Sequence, residues 1–483
     1  MVDKLSIYNI NEVYVGIDCP EGASHELREY FTFKVPGAQF TPQYRNKLWD
    51  GKIRLWDTRT RRIYRGLVPY IIKFCEEREY DWEYDNEVYD EEFSLSEAEQ
   101  FISKLNLTLE PRDYQIDAFV HAVRTRRSLL LSPTASGKSL IIYLLVRYYS
   151  SRTLIIVPTI SLVSQLATDF ADYGFESDRF VHRIYGGEDK QTNKPITIST
   201  WQSLYKLPKK YFEQFDVIIG DEAHLFKAKS LASIMENLEN SKYRFGFTGT
   251  LDGTKTHKLV LEGLFGTVRK VTTTKELMTQ GHVADFTIKC LLLKHSDSIC
   301  QAAKNFTYPQ EIEYLVLNES RNKFISNLAL SLEGNMLVLY QFVDKHGVIL
   351  YDIINKASTG QRVFFVSGNV DGEAREEIRK IVEKETNAII VASYGTFSTG
   401  INIKNLHNII FASPSKSRVR NLQSIGRGLR ISETKTSATL FDIADDLRHK
   451  KHENFTLKHF AERIKIYSEE KFDFRIYKIE LKG

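Results

Sequence analysis

Short apolar runs separated by helical stretches recur through most of this chain, and they constrain its fold more than any other feature. One series comprises residues 128–131, 154–157, 196–199, 217–219 and 244–248, and a second comprises 336–340, 363–366, 388–391, 409–412 and 439–443. Apolar runs of this kind between helices are typical of strands in a parallel sheet that is buried on both faces. The two series therefore predict two doubly wound α/β domains.

The segments around these two series complete the domain assignment. The first 105 residues predict a small α+β unit, with alternation at 5–17, a hairpin-like stretch at 49–64, and a helix that begins at Ser94, whose capping box ends at Glu97. An amphipathic pattern at 455–466 predicts a helix near the C-terminus. We assign residues 1–105 to a small nucleic-acid-binding domain, 106–285 to the first α/β domain, and 286–483 to the second.

Composition excludes several classes of protein. The chain is 42% hydrophobic and 27% charged, which is typical of a folded globular protein. Its apolar runs are far shorter than the roughly 18 residues that span a bilayer, and it begins without a secretory pattern, so we expect a cytoplasmic protein. The four cysteines lie far apart, which predicts ordinary thiols and neither disulfides nor a zinc site.

A phosphate-binding pattern follows the first predicted strand of the first series. Residues 132–139, Ser-Pro-Thr-Ala-Ser-Gly-Lys-Ser, lead directly into an apolar helix and resemble the P-loop, in which backbone N–H groups cradle phosphates. Lys138 would neutralise the β- and γ-phosphates, and the Ser139 hydroxyl would bind Mg²⁺. Ser132 stands where the common pattern has its first glycine, so this turn must form without glycine's conformational freedom.

Two adjacent carboxylates follow another strand of the same series. Asp221-Glu222-Ala223-His224 ends the run 217–219, which places both acids at the carboxyl end of a parallel strand, where such sheets bind ligands. The segment resembles the DEAH form of the Walker B motif. Asp221 would then hold Mg²⁺ through water, and Glu222 would orient and deprotonate the water that attacks the γ-phosphate.

Further segments occur in the order found in the superfamily 2 helicases, which the chain resembles from about Glu110 to Asp446. They are similar to the Q motif (112–115), motif Ia (157–165), motif Ib (200–204), motif III (248–250), motif IV (339–342), motif V (398–402) and motif VI (423–430). Arg427 and Arg430 of motif VI are three residues apart, so a helix would present both to one anion. In the family, these arginines reach the phosphates of ATP held by the other domain.

The resemblance implies two tandem RecA-like doubly wound parallel-sheet domains preceded by the small α+β domain, and hydrolysis of ATP with Mg²⁺. It implies catalytic roles for Lys138, Glu222, Arg427 and Arg430, and metal binding by Ser139 and Asp221. It implies ATP contacts for Arg112, Gln115, Thr134, Ala135, Ser136, Gly137, Lys138, Ser139, Gly400 and Asn402. It implies coupling roles for His224, Thr248, Thr250 and Gln423, and DNA contacts for Pro158, Thr159, Gln165, Thr200, Gln202 and Thr399. The turns at Thr159 and Thr200 suit backbone phosphates, although the same residues also suit plain helix capping.

The N-terminal segments 25–31 and 49–55 resemble the small leading domain of the bacteriophage UvsW-type helicases. The segments 134–139, 392–400 and 470–472 resemble the same helicases. That resemblance implies ATP-driven remodelling of branched DNA in replication, recombination and repair, by branch migration of Holliday junctions, fork regression and unwinding of D-loops or R-loops. It also implies the cytoplasm of the infected host cell. We expect a monomer whose partner is DNA, with RNA:DNA hybrids as a further partner.

Charge is distributed unevenly near the N-terminus. Residues 44–65 contain eight basic and two acidic residues, with Tyr44, Trp49, Trp56 and Tyr64 interspersed. This mixture suits backbone binding and base stacking, so we assign DNA contacts to Arg54, Arg59, Arg61 and Arg62, although a solvated hairpin with core aromatics has the same composition.

Three other functions fit the same motifs. They are a duplex DNA translocase that does not separate strands, an RNA or RNA:DNA helicase, and a protein that clamps nucleic acid in response to nucleotide without hydrolysing it. The presence of Glu222, Arg427 and Arg430 argues against the clamp.

Overall fold

The computed structural model describes residues 4–85, 92–186, 189–370, 372–396, 403, 405–415, 417–429 and 435–481, with only the backbone for a few of them. The chain divides into two compact units. The first contains Met1–Ser132 and Gly137–Val271, and the second contains Thr272–Gly483 together with Pro133–Ser136. The predicted domain limits at 105 and 285 stay predictions.

The N-terminal part of the first unit is a small α+β domain. Its strands are β1 (Lys4–Asn9), β2 (Tyr14–Asp18), β3 (Thr32–Lys34), β4 (Lys52–Arg54), β5 (Arg62–Tyr64) and β6 (Asp81–Asp85), and its helices are α1 (Glu21–Tyr30), α2 (Pro42–Arg45) and α3 (Val68–Glu77). Short 3₁₀ helices cover Ala38–Phe40 and Arg65–Leu67. The main sheet has the order β5-β2-β1-β6, and alternate residues such as Leu5, Ile7, Val15 and Ile17 pack into its core.

The predicted hairpin at 49–64 is wrong. Strand β4 pairs with β3 in a separate two-stranded sheet, and β5 pairs with β2 at the edge of the main sheet. Within this stretch, the described residues form one isolated antiparallel bridge, between Asp57 and Arg62. The cause is burial: Ile63 of β5 and Trp56 join the N-terminal core, which draws the two strands toward different partners.

Partly buried polar contacts attach the N-terminal domain to the α/β domain that follows it. The Glu12 carboxylate accepts hydrogen bonds from Arg65, at 2.7 Å, and from Arg127, at 3.0 Å. Tyr64 donates to Glu236 at 2.5 Å, and burial is the main reason why the pKa of this phenol is raised. Because Arg127 opens the first strand of the α/β domain, the contact fixes one domain against the first element of the next.

A glycine permits the closest part of this attachment. A Cβ at Gly66 would lie 2.0 Å from the carbonyl oxygen of Glu262, so no side chain fits there. Tyr70 adds a hydrogen bond to the Glu262 carboxylate at 2.7 Å.

The first α/β domain is built around a seven-stranded parallel sheet in the order β13-β7-β12-β11-β8-β10-β9. Its strands are β7 (Arg127–Leu131), β8 (Thr153–Val157), β9 (Val181–Ile184), β10 (Ile196–Thr200), β11 (Val217–Asp221), β12 (Tyr243–Thr248) and β13 (Val268–Lys270). Its helices are α4 (Leu95–Ser103), α5 (Asp113–Thr125), α6 (Lys138–Tyr149), α7 (Ile160–Asp172), α8 (Ser177–Phe180), α9 (Trp201–Leu204), α10 (Lys209–Phe212), α11 (Lys229–Asn237) and α12 (Lys255–Phe265), with a 3₁₀ helix at Ala223–Lys227. The predicted capping box at Ser94 is present at the start of α4.

The second unit contains another seven-stranded parallel sheet, in the order β16-β17-β15-β18-β19-β14-β20. Its strands are β14 (Asp285–Lys294), β15 (Met336–Tyr340), β16 (Val363–Val366), β17 (Ile389–Ser393), β18 (Asn408–Phe411), β19 (Ser437–Asp446) and β20 (Asp473–Glu480). Its helices are α13 (Thr274–Thr279), α14 (Asp297–Ala303), α15 (Tyr308–Leu317), α16 (Glu319–Ser331), α17 (Val348–Ala357), α18 (Gly372–Val382), α19 (Arg418–Gly428) and α20 (Phe455–Glu469), with a π-helical turn at Val343–Gly347.

These two sheets and the mixed N-terminal sheet confirm the predicted fold class. The four cysteines are buried and unpaired, as predicted. Of the helices that the structure describes, none has both the length and the apolar character that a membrane span requires.

We expect Glu12→Gln to weaken the attachment of the N-terminal domain, because Gln keeps the shape of the side chain but leaves Arg65 and Arg127 without their shared charge. The free energy of unfolding should fall by about 2–4 kcal/mol in urea denaturation followed by circular dichroism. Glu83→Gln is the matched control: its pair with Lys4 is more than half exposed on both sides, so the loss there should stay below about 1 kcal/mol. Equal losses in the two variants would contradict the buried role of Glu12.

Candidate nucleotide-binding site

The phosphate-loop segment connects β7 to α6, as predicted. Ser132 is buried, its N–H donates to the carbonyl of Thr248 at 2.8 Å, and its backbone lies outside the left-handed region. The position therefore needs no glycine, which explains how serine replaces it. Gly137 does need its freedom: its φ is +77°, and a Cβ there would lie 2.2 Å from Nε2 of Gln115.

Lys138 faces the two predicted carboxylates. Its Nζ lies 3.3 Å from Oε1 of Glu222 and 3.8 Å from Oδ1 of Asp221. The three side chains are between 15% and 24% exposed, so the ammonium and the carboxylates are only partly screened by water. The start of α6 and the end of β11 thus bring Lys138 close to Asp221 and Glu222.

The two carboxylates have different electrostatic environments. Burial opposes the ionisation of Glu222, but Lys138 and His224 outweigh it and hold the pKa of this carboxyl well below its usual range. Burial raises the pKa of Asp221, because Lys138 is farther away and the Glu222 carboxylate is adjacent. Glu222 also has a left-handed backbone, with φ of +51°, a conformation that costs a non-glycine residue free energy.

A chain of contacts joins Glu222 to the end of β12. Nδ1 of His224 lies 3.2 Å from Oε2 of Glu222 and 3.0 Å from Oγ1 of Thr248. The Thr248 hydroxyl donates in turn to the carbonyl of Thr250 at 3.0 Å. Three of the four predicted coupling residues therefore contact one another beside the phosphate-loop segment.

Two further residues belong to this site, and sequence reasoning missed both. Nε2 of His257 lies 2.9 Å from the carbonyl of His224, and its Nδ1 lies 2.8 Å from Oδ1 of Asp252. The hydroxyl of Tyr173 lies 2.7 Å from that of Ser139. Tyr173 lies more than thirty positions from Ser139 and His257 more than thirty from His224, so no local pattern connects them to the motifs.

The predicted Q motif contacts the phosphate-loop segment. Oε1 of Gln115 accepts from the Arg112 N–H at 2.9 Å, and Nε2 donates to the Gly137 carbonyl at 3.4 Å. The amide that was expected to read a base thus bonds to the protein in this structure. The Arg112 guanidinium donates to the Tyr114 hydroxyl at 2.7 Å.

The DNA contacts predicted for motifs Ia and Ib lie at neighbouring strand ends. In the register between β8 and β10, Val157 pairs with Thr200, so Pro158 and Thr159 lie at the same edge of the sheet as Thr200 and Gln202. Thr159 bonds to the Ser161 hydroxyl at 3.0 Å and Thr200 to the Ser203 hydroxyl at 3.1 Å. Both contacts are local to the turn that precedes a helix, and the exposed Gln165 lies on α7.

The predicted arginines of the N-terminal domain have protein partners in three of four cases. Arg54 bonds to Asp50, Arg61 lies 3.0 Å from Asp18, and Arg62 lies over the Tyr14 ring at 4.5 Å. Arg59 is exposed.

Part of the predicted site lies in the second unit. Gln423 is on the helix Arg418–Gly428, and the side chain of Arg427, on the same helix, is not described. Thr399, Gly400, Asn402 and Arg430 lie outside the described residues.

Comparison with known proteins decides the family. The family model "DNA helicase UvsW, N-terminal" matches residues 6–85, "Type III restriction enzyme, res subunit" matches 108–253, and "Helicase conserved C-terminal domain" matches 320–432. The ATP-dependent DNA helicase uvsW of Enterobacteria phage T4 is 39% identical over 97% of this chain and 98% of its own length. The chain belongs to the UvsW family of superfamily 2 helicases.

A solved structure agrees with membership of the UvsW family. The crystal structure of T4 UvsW matches 99% of this chain, with 35% sequence identity and a TM-score of 0.52. The DNA 3'-5' translocase XPB2 of Sulfurisphaera tokodaii is a more distant relative, 25% identical over 67% of this chain and 79% of its own length. As a member of the UvsW family, this protein is an enzyme that hydrolyses ATP.

We expect Lys138→Met to make stability depend on pH in a new way. In the wild type, the lowered pKa of Glu222 means that its ion pair stabilises the fold at neutral pH and is lost as the pH falls through that pKa. In the variant, burial should raise the pKa of both carboxylates, so that their ionised forms destabilise the fold at neutral pH and protonation relieves this. The difference in melting temperature from wild type should be larger at about pH 8 than at about pH 5.

Lys209→Met is the matched control for this measurement. Lys209 pairs with Glu239 at 2.6 Å in the same unit, but its side chain is 50% exposed, so its removal should give a small difference that is similar at both pH values. A difference that is independent of pH in Lys138→Met would contradict the assigned ion pairs.

Proposed function

We propose that this chain uses ATP hydrolysis to remodel branched DNA, through branch migration, fork regression and unwinding of D-loops or R-loops. The observation that carries the proposal is the chain of contacts from Lys138 and Glu222 through His224 to Thr248, beside two strand ends that suit phosphate binding. Residues 6–85 support the substrate class, because they match the N-terminal model of a DNA helicase family. The T4 relative, which is similar over nearly its whole length, is an ATP-dependent DNA helicase.

In the proposed site, phosphates displace the internal partners of Lys138. Backbone N–H groups at the start of α6 hold the phosphates, and the Lys138 ammonium moves from Glu222 to the β- and γ-phosphates. Glu222 stays buried but loses its cation, so its pKa rises toward the range of a working general base. Glu222 then orients the attacking water and accepts its proton, so the catalytic base becomes active only when a triphosphate is present.

The donor set near Lys138 fits Mg²⁺. Ser139 offers a hydroxyl and Asp221 a carboxylate, which are the oxygen ligands that Mg²⁺ accepts together with waters and substrate phosphates. The Lys138 ammonium, within 4 Å of both carboxylates, shows that this position favours a cation. When bound, the ion would neutralise charge on the phosphates. Ser139 and Asp221 would hold it.

The remaining motif residues complete a two-lobed cycle. Arg427 and Arg430 would bind the phosphates from the second RecA-like domain, with Gly400 and Asn402 at the nucleotide, so that ATP favours closure and hydrolysis releases it. His224, Thr248, Thr250 and Gln423 would transmit the change. Pro158, Thr159, Gln165, Thr200, Gln202 and Thr399 would hold the DNA backbone, which gives low sequence specificity. We place the enzyme in the cytoplasm of the infected host cell, as a monomer.

The test is the ATPase rate of the purified protein with single-stranded DNA, linear duplex, a synthetic Holliday junction and an RNA:DNA hybrid, with the product strands separated on a gel. We expect the junction to stimulate hydrolysis and to be converted into new strand products. Lys138→Ala should hydrolyse no ATP yet still bind the junction, which makes it the control for contaminating ATPases.

Two results would overturn the proposal. Strong stimulation by linear duplex without new strands would identify a duplex translocase; the XPB2 relative is named a DNA 3'-5' translocase. Unwinding confined to the hybrid would identify an RNA:DNA helicase.

We also expect Tyr173 to hold the Ser139 hydroxyl in position for Mg²⁺. Burial raises the pKa of Tyr173 to about 12, so this phenol stays protonated and able to hydrogen-bond. Tyr173→Phe keeps the ring beside Tyr143 but removes the hydroxyl. In wild type, we expect Mg²⁺ to increase the affinity for fluorescent ADP. In Tyr173→Phe, this increase should be about tenfold smaller, while the affinity measured in EDTA should equal that of wild type.

Tyr211→Phe is the control, because Tyr211 is a largely buried tyrosine of the same unit whose ring packs on Phe212 and Phe215. An undiminished Mg²⁺-dependent gain in Tyr173→Phe would show that the contact with Ser139 has no part in metal binding.

A further inference from the structure

An apolar surface is exposed to water between β3 and β4 of the N-terminal domain. Phe40 is 69% exposed, Tyr44 41% and Leu48 78%, and we call the segment 38–48 that carries them the 38–48 knob. Single exposed apolar residues are common on protein surfaces. Three within nine residues form a patch of the kind that marks a contact site.

The knob is held by its own hydrogen bonds and by the strands at its base. Thr41 caps α2 by accepting from the Tyr44 N–H, and the Leu48 N–H donates to the Gln43 carbonyl at 2.9 Å. At the base, the Val35 N–H donates to the Gly51 carbonyl at 2.8 Å, beside the pairing of β3 with β4. The exposed side chains thus stand on a folded support.

A glycine at the base fixes the position of Tyr44. Gly51 has φ of +74°, and a Cβ there would lie 3.0 Å from the Tyr44 ring. This ring therefore packs over the backbone with one face, which limits its freedom and leaves the rest of it to a partner.

The charge around the knob indicates an anionic partner. Residues 34–49 contain Lys34, Arg45 and Lys47 and no acidic residue, and the next acid, Asp50, is bonded to Arg54. Arg45 and Lys47 are exposed, and within the described part of the chain neither forms an ion pair. Aromatic side chains beside unpaired cations match a partner that has flat apolar faces joined by phosphates.

We propose that the 38–48 knob binds unpaired bases at a branch point of DNA, with Phe40 and Leu48 against the base faces and Arg45 and Lys47 on the adjacent phosphates. This inference rests on the proposed function, since it takes DNA as the substrate, and it adds the element that contacts bases. It also differs from the arginines that the sequence suggested, because Arg54 and Arg61 have carboxylate partners within the domain.

The apolar and ionic parts of the contact can be separated by their salt dependence. Binding of a synthetic three-way junction, with the fluorescent base 2-aminopurine at the branch point, is measured over a range of salt concentrations. Phe40→Ser with Leu48→Ser should weaken binding about fivefold or more at every salt concentration, leave the salt slope unchanged and reduce the change in 2-aminopurine fluorescence. Arg45→Ala with Lys47→Ala should instead flatten the slope of log K against log salt by about 1.4–1.8.

Ile10→Ser is the matched control, because Ile10 is 48% exposed in the same domain but lies in the turn between β1 and β2, outside the 38–48 knob. It should bind the junction like the wild type. Circular dichroism and thermal melting of every variant confirm that each is folded. Wild-type affinity and an unchanged fluorescence signal in Phe40→Ser with Leu48→Ser would overturn the proposal.

A membrane surface is the competing occupant. Co-sedimentation with phosphatidylglycerol and phosphatidylcholine vesicles, lost in Phe40→Ser with Leu48→Ser while junction binding persists, would also overturn the proposal.

The strand products that the wild type forms from a junction show whether the proposed remodelling or the proposed role of the knob has failed. If the wild type yields no new strands from a junction but its fluorescence signal still requires Phe40 and Leu48, the knob contacts bases and the proposed remodelling is wrong. If the wild type and the knob variant both remodel junctions with the same fluorescence signal, the remodelling stands and the knob has another role.

Discussion

The ion pairs between Lys138 and the carboxylates of Asp221 and Glu222 join the start of helix α6 to the end of strand β11, more than eighty residues away in the chain. Without a cation between them, two adjacent and largely buried acids would repel each other, and burial would favour their protonated forms. Lys138 keeps Glu222 ionised and also lies where a phosphate would need it. One ammonium group thus stabilises the two carboxylates when no nucleotide is bound, and its proposed movement to the phosphates activates the base.

The N-terminal domain is attached to the first α/β domain because Glu12 forms hydrogen bonds with both Arg65 and Arg127, the residue at the start of β7. Tyr64 and Tyr70 add bonds to Glu236 and Glu262, so the attachment involves the helices α11 and α12 as well as the first strand. Contacts of this kind are costly to break, since each would leave a buried polar group unpaired. A base-contacting knob on this domain would therefore move with the domain that carries Lys138.

Much of the fold was predictable because a buried parallel strand is a short apolar run, and ten such runs became strands. Strands β9, β13, β14 and β20 were missed. Strand β14 lies where the helical and strand patterns mix, whereas β9, β13 and β20 are edge strands that contain charged residues. The hairpin at 49–64 was mispredicted because pairing partners depend on burial of Trp56 and Ile63, which local alternation does not reveal. Lys138, Asp221 and Glu222 were found through motifs, whereas Tyr173 and His257 reach the site only through tertiary packing.

Both parallel sheets have acids within or just after a strand, but these acids have different partners. In the second sheet, Asp442 is bonded to Arg463 at 2.8 Å and to the Tyr467 hydroxyl at 2.9 Å, and Asp445 is bonded to Arg321 and His295 at 3.0 Å. Asp442 and Asp445 are fully buried, and each receives both contacts from the Nε of its arginine, which cannot turn to a ligand without leaving a charge unpaired. In the first sheet, one flexible lysine that is 19% exposed serves two acids, so a phosphate can draw it away at far lower cost. Asp442 and Asp445 thus have arginine partners that cannot leave them cheaply, whereas the proposed site at Asp221 and Glu222 has a lysine partner that a phosphate can displace.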